Sequence, residues 1–555
     1  MNKKVCSFPI LFALLALLIG TCAVVFPASA QAAPTSTGSI TVSGTVARSY
    51  DAYQIFSANV VDGDSDAKIA TDLAWASDAV RDAALPVLHS AGMPNSQTTA
   101  QEAAEWLNAD SHLTSALSAQ LARSLQSSGA VSVALNAGTT AELPCGYWLI
   151  VAKDDAISQN EAGTAPIMAL VGGSAVTVKP KAATPKVQKH VLEDSTAAWQ
   201  KAADATVADD LYWRLSATVP AGLSAYDTYA VQFVDTMGAG LDPSKVAASM
   251  HVYVAAGADG GFDAVSADKD GRAGTEPAKG WTDITAQCAT KVAADGTFTV
   301  RTGDLIAALG GADAFTAGAR VVAVYNAPLN SACNHGIAKG NPNEVYLRYP
   351  RSPFADQSGD AGFTCTPSDD ACAYTWDLAL TKRGSDGDKP LAGAVLSIAD
   401  DRGRTLAADG TWDAEGKATV TTGEDGRVTV SGVDSGKLEV REVKAPKGYT
   451  AFEGTRSVTV KAEGLDVDQV AAAKPKLTIT AESPLRADSA DGSTGSLEAS
   501  LINTPTGTPP SITTGGFMPS TGDMAMYAAA AAAVAGAALI VVALLVKRGG
   551  GSHKE

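Results

Sequence analysis

Two long apolar runs, Ile10 to Phe26 and Met524 to Val546, bracket a chain whose interior is built from short alternations. Ile40-Thr41-Val42-Ser43-Gly44-Thr45-Val46 has the period of two that a half-buried strand requires. Lys68 to Leu88 and Thr99 to Leu125 are instead rich in Ala and Leu at helical spacing, and predict helices. Strand patterns return at Tyr147 to Val151 and Ala175 to Val178. Leu211 to Leu215 and Val231 to Val234 alternate again, with turns at Gly257 to Gly261 and Asp268 to Gly274. From Trp376 onward seven short strands are predicted between Gly/Asp turns: Trp376 to Thr381, Ala394 to Ile398, Lys417 to Val420, Arg427 to Val430, Lys437 to Arg441, Arg456 to Val460 and Leu497 to Asn503.

These patterns divide the chain. Strands flanking helices predict an α+β N-terminal domain over residues 34–180. Residues 183–352 predict a middle β-sandwich, and 354–505 an immunoglobulin-like sandwich. The Thr/Pro/Gly-rich stretch 506–522 reads as an extended linker. The expected fold class is therefore mainly β: tandem immunoglobulin-like β-sandwich domains, an α+β N-terminal domain and a C-terminal transmembrane helix.

The two apolar runs have different flanks. Met1-Asn2-Lys3-Lys4 precedes the first, and Pro27-Ala28-Ser29-Ala30 follows it with a small-x-small cleavage pattern. Residues 1–30 thus predict a secretory signal peptide. Residues 524–546 would make a helix of about 34 Å, long enough to span a bilayer. Lys547-Arg548 opens a basic tail, 547–555, that would stay on the cytoplasmic side.

Composition narrows the function. The 555 residues carry a formal net charge of −17 and a pI near 4.8. Such an acidic surface lacks the basic face that nucleic-acid binding needs, and it suits a soluble extracellular domain. The 6 His are scattered without a metal-ligand register, and no nucleophile, phosphate-loop or paired-carboxylate signature stands out. No cofactor, metal or turnover chemistry is expected. Of 7 Cys, Cys6 and Cys22 belong to the signal peptide. An exported chain meets an oxidising setting. Cys365 and Cys372 flank a short turn and are expected to bridge it, with Cys288–Cys333 as a second pair. Cys145 is then left over as a buried small hydrophobe.

Met518-Pro519-Ser520-Thr521-Gly522, followed by the apolar span and basic tail, resembles an LPXTG cell-wall sorting signal, with Met518 in place of the usual Leu. The resemblance implies cleavage by a sortase between Thr521 and Gly522 and transfer of the Thr521 carbonyl to an amine. Val176-Thr177-Val178-Lys179-Pro180-Lys181 resembles the pilin motif of sortase-assembled pilins, with Lys179 where a Tyr is usual. It implies that Lys181 of one subunit is joined to Thr521 of the next; Lys179 or Lys186 could serve instead.

Leu380-Thr381-Lys382, the following Asp386 to Ala394, the stretch Glu439 to Tyr449 and Leu501-Ile502-Asn503-Thr504 resemble the first strand, E-box and last strand of collagen-adhesin B-type domains. That family implies a self-made Lys382–Asn503 isopeptide bond promoted by Glu442. Strand alternation agrees: Lys382 shares a face with Leu378 and Leu380, Glu442 with Leu438 and Val440, and Asn503 with Leu501. Burial lowers a Lys pKa and raises that of a carboxyl, which gives a neutral nucleophile and a proton donor. Tyr325 to Asn330 and Asn341 to Val345 resemble the end of the middle domain of shaft pilins. This implies a second bond, Lys189–Asn343, promoted by Asp235, with Asn341 and Asn334 as rival acceptors. The resemblance as a whole implies the shaft subunit of a Gram-positive pilus. Its partners would be pilin-specific and housekeeping sortases, identical subunits, other pilins, peptidoglycan and host surface ligands. The alternative is a monomeric wall-anchored adhesin or a basal or tip pilin.

Overall fold

The computed structural model describes residues 36–507, apart from 45–47, 65–66, 110, 155–156, 158–159, 181–183, 269–270 and 316. The expected signal peptide, Lys181, the expected sorting motif Met518 to Gly522 and the apolar span 524–546 lie outside the described residues.

The N-terminal domain comprises β1 (Thr37–Val42), β2 (Ser49–Asp62), β3 (Lys68–Trp75), α1 (Asp78–Ser90), α2 (Ala100–Asn108), α3 (Ser115–Ser127), β4 (Ser132–Asn136), β5 (Thr140–Pro144), β6 (Gly146–Ala152), β7 (Ile167–Val171) and β8 (Val176–Val178). A small sheet, β5-β1-β8, packs on a larger one, β3-β2-β6-β7 with β4 beside β2. The helices contribute Leu88, Leu107, Leu121 and Leu125 to a core shared with Tyr53, Ile55 and Leu149 of the larger sheet. The first expected helix differs from the structure. Lys68 to Trp75 is a strand, and the helix starts only at Asp78, where the Ser77 hydroxyl accepts from Val80 N at 3.2 Å. No residue of β3 is fully buried; it pairs along the backbone of the long β2 and packs only half-buried Leu73 and Trp75 against the helical core. The second expected helix is two, because Thr114 caps a fresh start at α3.

The middle domain comprises β9 (Lys186–Glu193), β10 (Ala198–Gln200), β11 (Ala202–Asp204), β12 (Tyr212–Val219), β13 (Gln232–Met237), β14 (His251–Ala256), β15 (Thr282–Asp283), β16 (Ala289–Val292), β17 (Thr297–Arg301), β18 (Ala319–Asn326), β19 (Asn341–Pro350), β20 (Phe363–Cys365) and β21 (Asp369–Tyr374). Two sheets face each other, β10-β9-β12-β18-β14-β15 and β11-β21-β19-β13-β17-β16, with β20 beside β19. Their inner faces meet in one core around Trp213, Phe233, Phe298, Tyr325 and Leu347.

The C-terminal sandwich comprises β22 (Trp376–Gly384), β23 (Val395–Ala399), β24 (Thr405–Leu406), β25 (Trp412–Asp413), β26 (Val420–Thr421), β27 (Arg427–Val433), β28 (Gly436–Lys444), β29 (Tyr449–Thr450), β30 (Thr455–Glu463), β31 (Lys476–Ala481), β32 (Leu485–Asp491) and β33 (Ser496–Pro505). One sheet runs β27-β22-β33-β29 with β32 beside β33, the other β25-β24-β23-β28-β30-β31 with β26 beside β23. Six of the seven expected strands are present; of Lys417 to Val420 only Val420 lies in a strand, β26, and β24, β25, β29, β31 and β32 are additional. The boundary expected near residue 354 is displaced. β20 and β21 pair with β19, so the middle domain runs to Tyr374 and the last sandwich begins at Trp376.

The middle and last domains share a dense junction. The Arg404 guanidinium forks onto both oxygens of Asp209 at 2.6 and 2.7 Å. Asp204 Oδ2 accepts from Trp376 Nε1 at 2.6 Å and from Ser435 N at 2.9 Å.

Candidate functional site: two buried lysine–carboxyl–asparagine groups

In the last sandwich the first and last strands lie side by side and parallel, with Lys382 opposite Leu501 and Gly384 opposite Asn503. The strict alternation of β28 turns Leu438, Val440 and Glu442 inward from the opposite sheet while Glu439, Arg441 and Val443 face water. The three polar groups therefore converge in the core, as the sequence predicts. Lys382 and Asn503 are 0% and 2% exposed. Asn503 Nδ2 donates to both Glu442 oxygens at 2.8 and 3.0 Å, and Lys382 Nζ stands 3.5 Å from Glu442 Oε1. Phe452 N also donates to Glu442 Oε2 at 3.1 Å, which fixes the carboxyl. Burial pushes the Lys382 amine down to about 8, with Glu442 opposing.

The middle domain repeats the arrangement with different parts. Lys189 stands on its first strand, Asp235 on β13 and Asn343 on β19; Asn343 pairs with Met237, two positions along from Asp235 and so on the same face. All three are 0% exposed. Lys189 Nζ donates to Asp235 Oδ2 and to the Tyr325 hydroxyl, the latter at 2.9 Å. Asn343 Nδ2 donates to the same hydroxyl at 2.8 Å, and Tyr325 donates to Asp235 Oδ2 at 3.1 Å. The ammonium also sits 5.6 Å from the Trp213 ring centroid. Burial lowers the Lys189 amine to about 8 and raises the Asp235 carboxyl, although each opposes the other's shift by its charge.

The two sites share a defect. Asn343 Oδ1 and Asn503 Oδ1 are buried with no hydrogen-bond partner, as is Asp235 Oδ1. A buried unpaired acceptor costs about 1–3 kcal/mol. A carboxyl that has taken the lysine proton becomes a donor, which is what such an amide oxygen lacks. The same event leaves a neutral amine beside an amide carbon. The arrangement can thus expel ammonia and leave a Lys–Asn amide.

The rival acceptors are otherwise engaged. Asn341 exchanges hydrogen bonds with the Asn334 backbone at 2.8 and 2.9 Å and donates to Ala373 O, while Asn334 Nδ2 donates to Gly340 O. Tyr325, which touches three members of the middle group, was not among the residues singled out from the sequence. Its signal was available: it shares the inward phase of β18 with Val321 and Ala323, and a core tyrosine must find a partner for its hydroxyl. Of the alternatives to Lys181, Lys179 and Lys186 are both exposed.

The expected disulfides are not formed: Cys145, Cys288, Cys333, Cys365 and Cys372 are all free thiols. Strand register explains why. Cys365 pairs with Arg348 and Cys372 with Pro342, six positions apart along β19 and so separated by roughly 20 Å. Cys288 precedes β16 at the Arg301 end of its sheet, whereas Cys333 packs by Gly240 beyond the opposite end of β13. Neither pair approaches the Cα spacing below 7 Å that a bridge needs. Among the described residues no group of three or more His, Cys, Asp or Glu is placed to hold a metal ion.

Comparison with known proteins adds the following. A family model described as the SpaA prealbumin-like fold domain matches residues 377–474. The trypsin-resistant surface T6 protein of Streptococcus pyogenes serotype M6 is 29% identical over 143 residues, covering 24% of this chain and 24% of that protein. The chain therefore matches about a quarter of the length of this curated relative. Among solved structures, the T6 backbone pilin of serotype M6 Streptococcus pyogenes, described as a modular three-domain structure, is 16% identical. That likeness covers 85% of this chain and 98% of the other, with a TM-score of 0.44. The full-length major pilin SpaD of Corynebacterium diphtheriae is 15% identical, with coverage of 85% and 98% and a TM-score of 0.40.

Proposed function

We propose that this chain is the shaft subunit of a covalently polymerised pilus on a Gram-positive surface, a structural polymer rather than an enzyme. The observation that carries the reading is the pair of buried Lys–carboxyl–Asn groups. In the last sandwich, Lys382 and Asn503 stand on adjacent parallel strands that begin and end the domain. A bond between them would carry tension from β22 straight to β33 and shield everything between from the load. In the middle domain, Lys189–Asn343 would tie one sheet to the other. A monomeric adhesin held at one end has little use for two load-bearing clamps in series, whereas every subunit of a fibre bears the whole load.

Polymerisation itself rests on the sequence motifs. A pilin-specific sortase would cleave between Thr521 and Gly522 and pass the Thr521 acyl group to Lys181 of a second copy. A housekeeping sortase would attach the finished fibre to peptidoglycan, other pilins would cap or root it, and host surface ligands would be reached at its far end. The prealbumin-like match over residues 377–474 supports the reading for the domain that holds Lys382 and Glu442.

Mass measurement tests the clamps. Each bond removes ammonia, roughly 17 Da, because the lysine nitrogen displaces the amide nitrogen. We expect the purified, reduced chain to weigh two such losses less than its sequence, and Lys382→Ala to restore one of them. A chain at its full sequence mass would remove the cross-links and favour the simple wall-anchored adhesin.

A further inference from the structure

The two sites solve the same chemical problem with different reach. At the last sandwich Glu442 touches both nitrogens: its Oε1 accepts from Asn503 Nδ2 at 2.8 Å and lies 3.5 Å from Lys382 Nζ. At the middle domain the carboxyl is an aspartate, one methylene shorter. Asp235 contacts Lys189 Nζ, but the hydrogen-bond partner of Asn343 Nδ2 is the Tyr325 hydroxyl. That oxygen accepts from the attacking nitrogen at 2.9 Å and from the leaving nitrogen at 2.8 Å, while its own hydrogen goes to Asp235. Tyr325 is 0% exposed, and its ring is pinned edge-on to Phe298 with centroids 4.8 Å apart. The hydroxyl therefore cannot swing away, and no solvent competes for it.

We infer that Tyr325 is a catalytic residue of the middle-domain reaction, a proton shuttle that carries a proton from Lys189 Nζ to Asn343 Nδ2. The inference rests on the cross-linking reading above. Lys189 first gives one proton to Asp235 and becomes a neutral amine. Its lone pair then attacks Asn343 Cγ, placing negative charge on Oδ1 and positive charge on Nζ. With Asp235 now protonated and Nδ2 pyramidal with a free lone pair, the Tyr325 hydroxyl turns its hydrogen from Oδ2 to Nδ2; its oxygen takes a proton from Nζ as that hydrogen passes to Nδ2. The Cγ–Nδ2 bond breaks, Oδ1 re-forms its double bond, and ammonia leaves. The tyrosine ends as it began, and the atoms of one amine and one amide become one amide and one ammonia. Burial holds the phenol well above its ordinary range, so it works as a neutral donor–acceptor and not as a phenolate.

Peptide mapping of the full chain by mass spectrometry tests this, with the Lys382–Asn503 peptide as internal standard. Wild type should yield both cross-linked peptides. In Tyr325→Phe the Lys189–Asn343 peptide should appear at least about 100-fold more slowly during incubation, the usual scale of a lost proton-transfer group. The Lys382–Asn503 peptide should be unchanged. The double variant Tyr325→Phe/Asp235→Glu should regain the middle bond, because the vacated hydroxyl space admits a longer carboxyl that reaches both nitrogens as Glu442 does. A complete middle bond in Tyr325→Phe on purification would overturn the shuttle. So would its absence from both variants, since that result fits a packing role only. A wild-type chain lacking the Lys189–Asn343 peptide would sink the cross-link itself rather than the tyrosine's part in it.

Discussion

A lysine in a sandwich core is an expensive residue unless it stops being a lysine. Lys382 has Glu442 at 3.5 Å and the Leu501 carbonyl at 3.3 Å, too little to replace the hydration of an ammonium. Conversion to an amide removes the charge, while the carbonyl oxygen of Asn503 stays in place. Glu442→Gln tests this at the level of one atom, because it keeps the shape and loses the proton. We expect that variant to retain the Lys382 amine and the Asn503 amide uncoupled, seen as one ammonia regained in mass. Its thermal unfolding should shift down by an amount of the order of 4 kcal/mol, by analogy with a disulfide closing a loop of about 100 residues. An unchanged mass deficit in Glu442→Gln would show that the carboxyl is dispensable. At this scale the sequence was nearly sufficient for the last sandwich, because Lys382, Glu442 and Asn503 each keep phase with apolar neighbours. It was less so in the middle domain. Asn341 and Asn343 share one phase of β19 and are both buried, and only the tertiary contacts separate an amide with its partners in place from one whose buried oxygen has none.

Elements were legible where their signals are local. Ser77, Thr99 and Thr114 each precede a helix and each caps it; Thr99 forms a capping box with Glu102. Those same residues mark the helix starts that apolar periodicity alone placed too early or fused together. Thr114→Ala should therefore lower the stability of the N-terminal domain by about 1 kcal/mol, with α3 the first segment to gain hydrogen exchange. Equal exchange across α2 and α3 in that variant would argue that packing and not the cap sets the helix start. Strands without a buried face escaped the sequence. β32 buries only Leu485, and β3 has no fully buried residue and packs only half-buried Leu73 and Trp75 inward, so their alternation carries little hydrophobic signal. Each pairs along a neighbour's backbone, β33 in one case and β2 in the other.

Across the whole molecule, the junction between the middle and last domains gathers four carboxyls from three segments. Glu193 closes β9 with Asp194 just after it, Asp204 closes β11, and Asp434 lies in the turn before β28. Arg402 approaches Asp194 at 3.8 Å, and Arg404 is engaged with Asp209 and Asp400. Burial, followed by the mutual repulsion of the carboxylates, holds Asp434 well above the carboxylate range and Glu193 at about 7. Asp194 is raised for the same reasons. Groups raised in this way keep protons that the unfolded chain has already released. Their stabilising contribution is complete below the ordinary carboxyl range, near pH 4, and is lost as the pH climbs towards 7. Asp434→Asn imitates the protonated acid. Between pH 4.5 and 7.5 its unfolding midpoint should fall less than that of wild type, the difference amounting to about 1–3 kcal/mol. Parallel pH profiles for the two proteins would exclude Asp434 as the group responsible.

Local pattern alone carries the division into an α+β unit and two sandwiches and the inward phase of both lysines. Such features follow from side-chain periodicity and chain chemistry, which neighbours in sequence already fix. Tertiary structure decided whatever depends on residues far apart in the chain. It assigned Phe363 to Tyr374 to the middle domain through pairing with β19, kept the five described thiols apart by strand register, and brought Tyr325 between Lys189 and Asn343. The physical reason is common to all three. A strand's partner is chosen by burial and hydrogen bonding across the whole sheet, and no local stretch of residues encodes which distant strand will lie beside it.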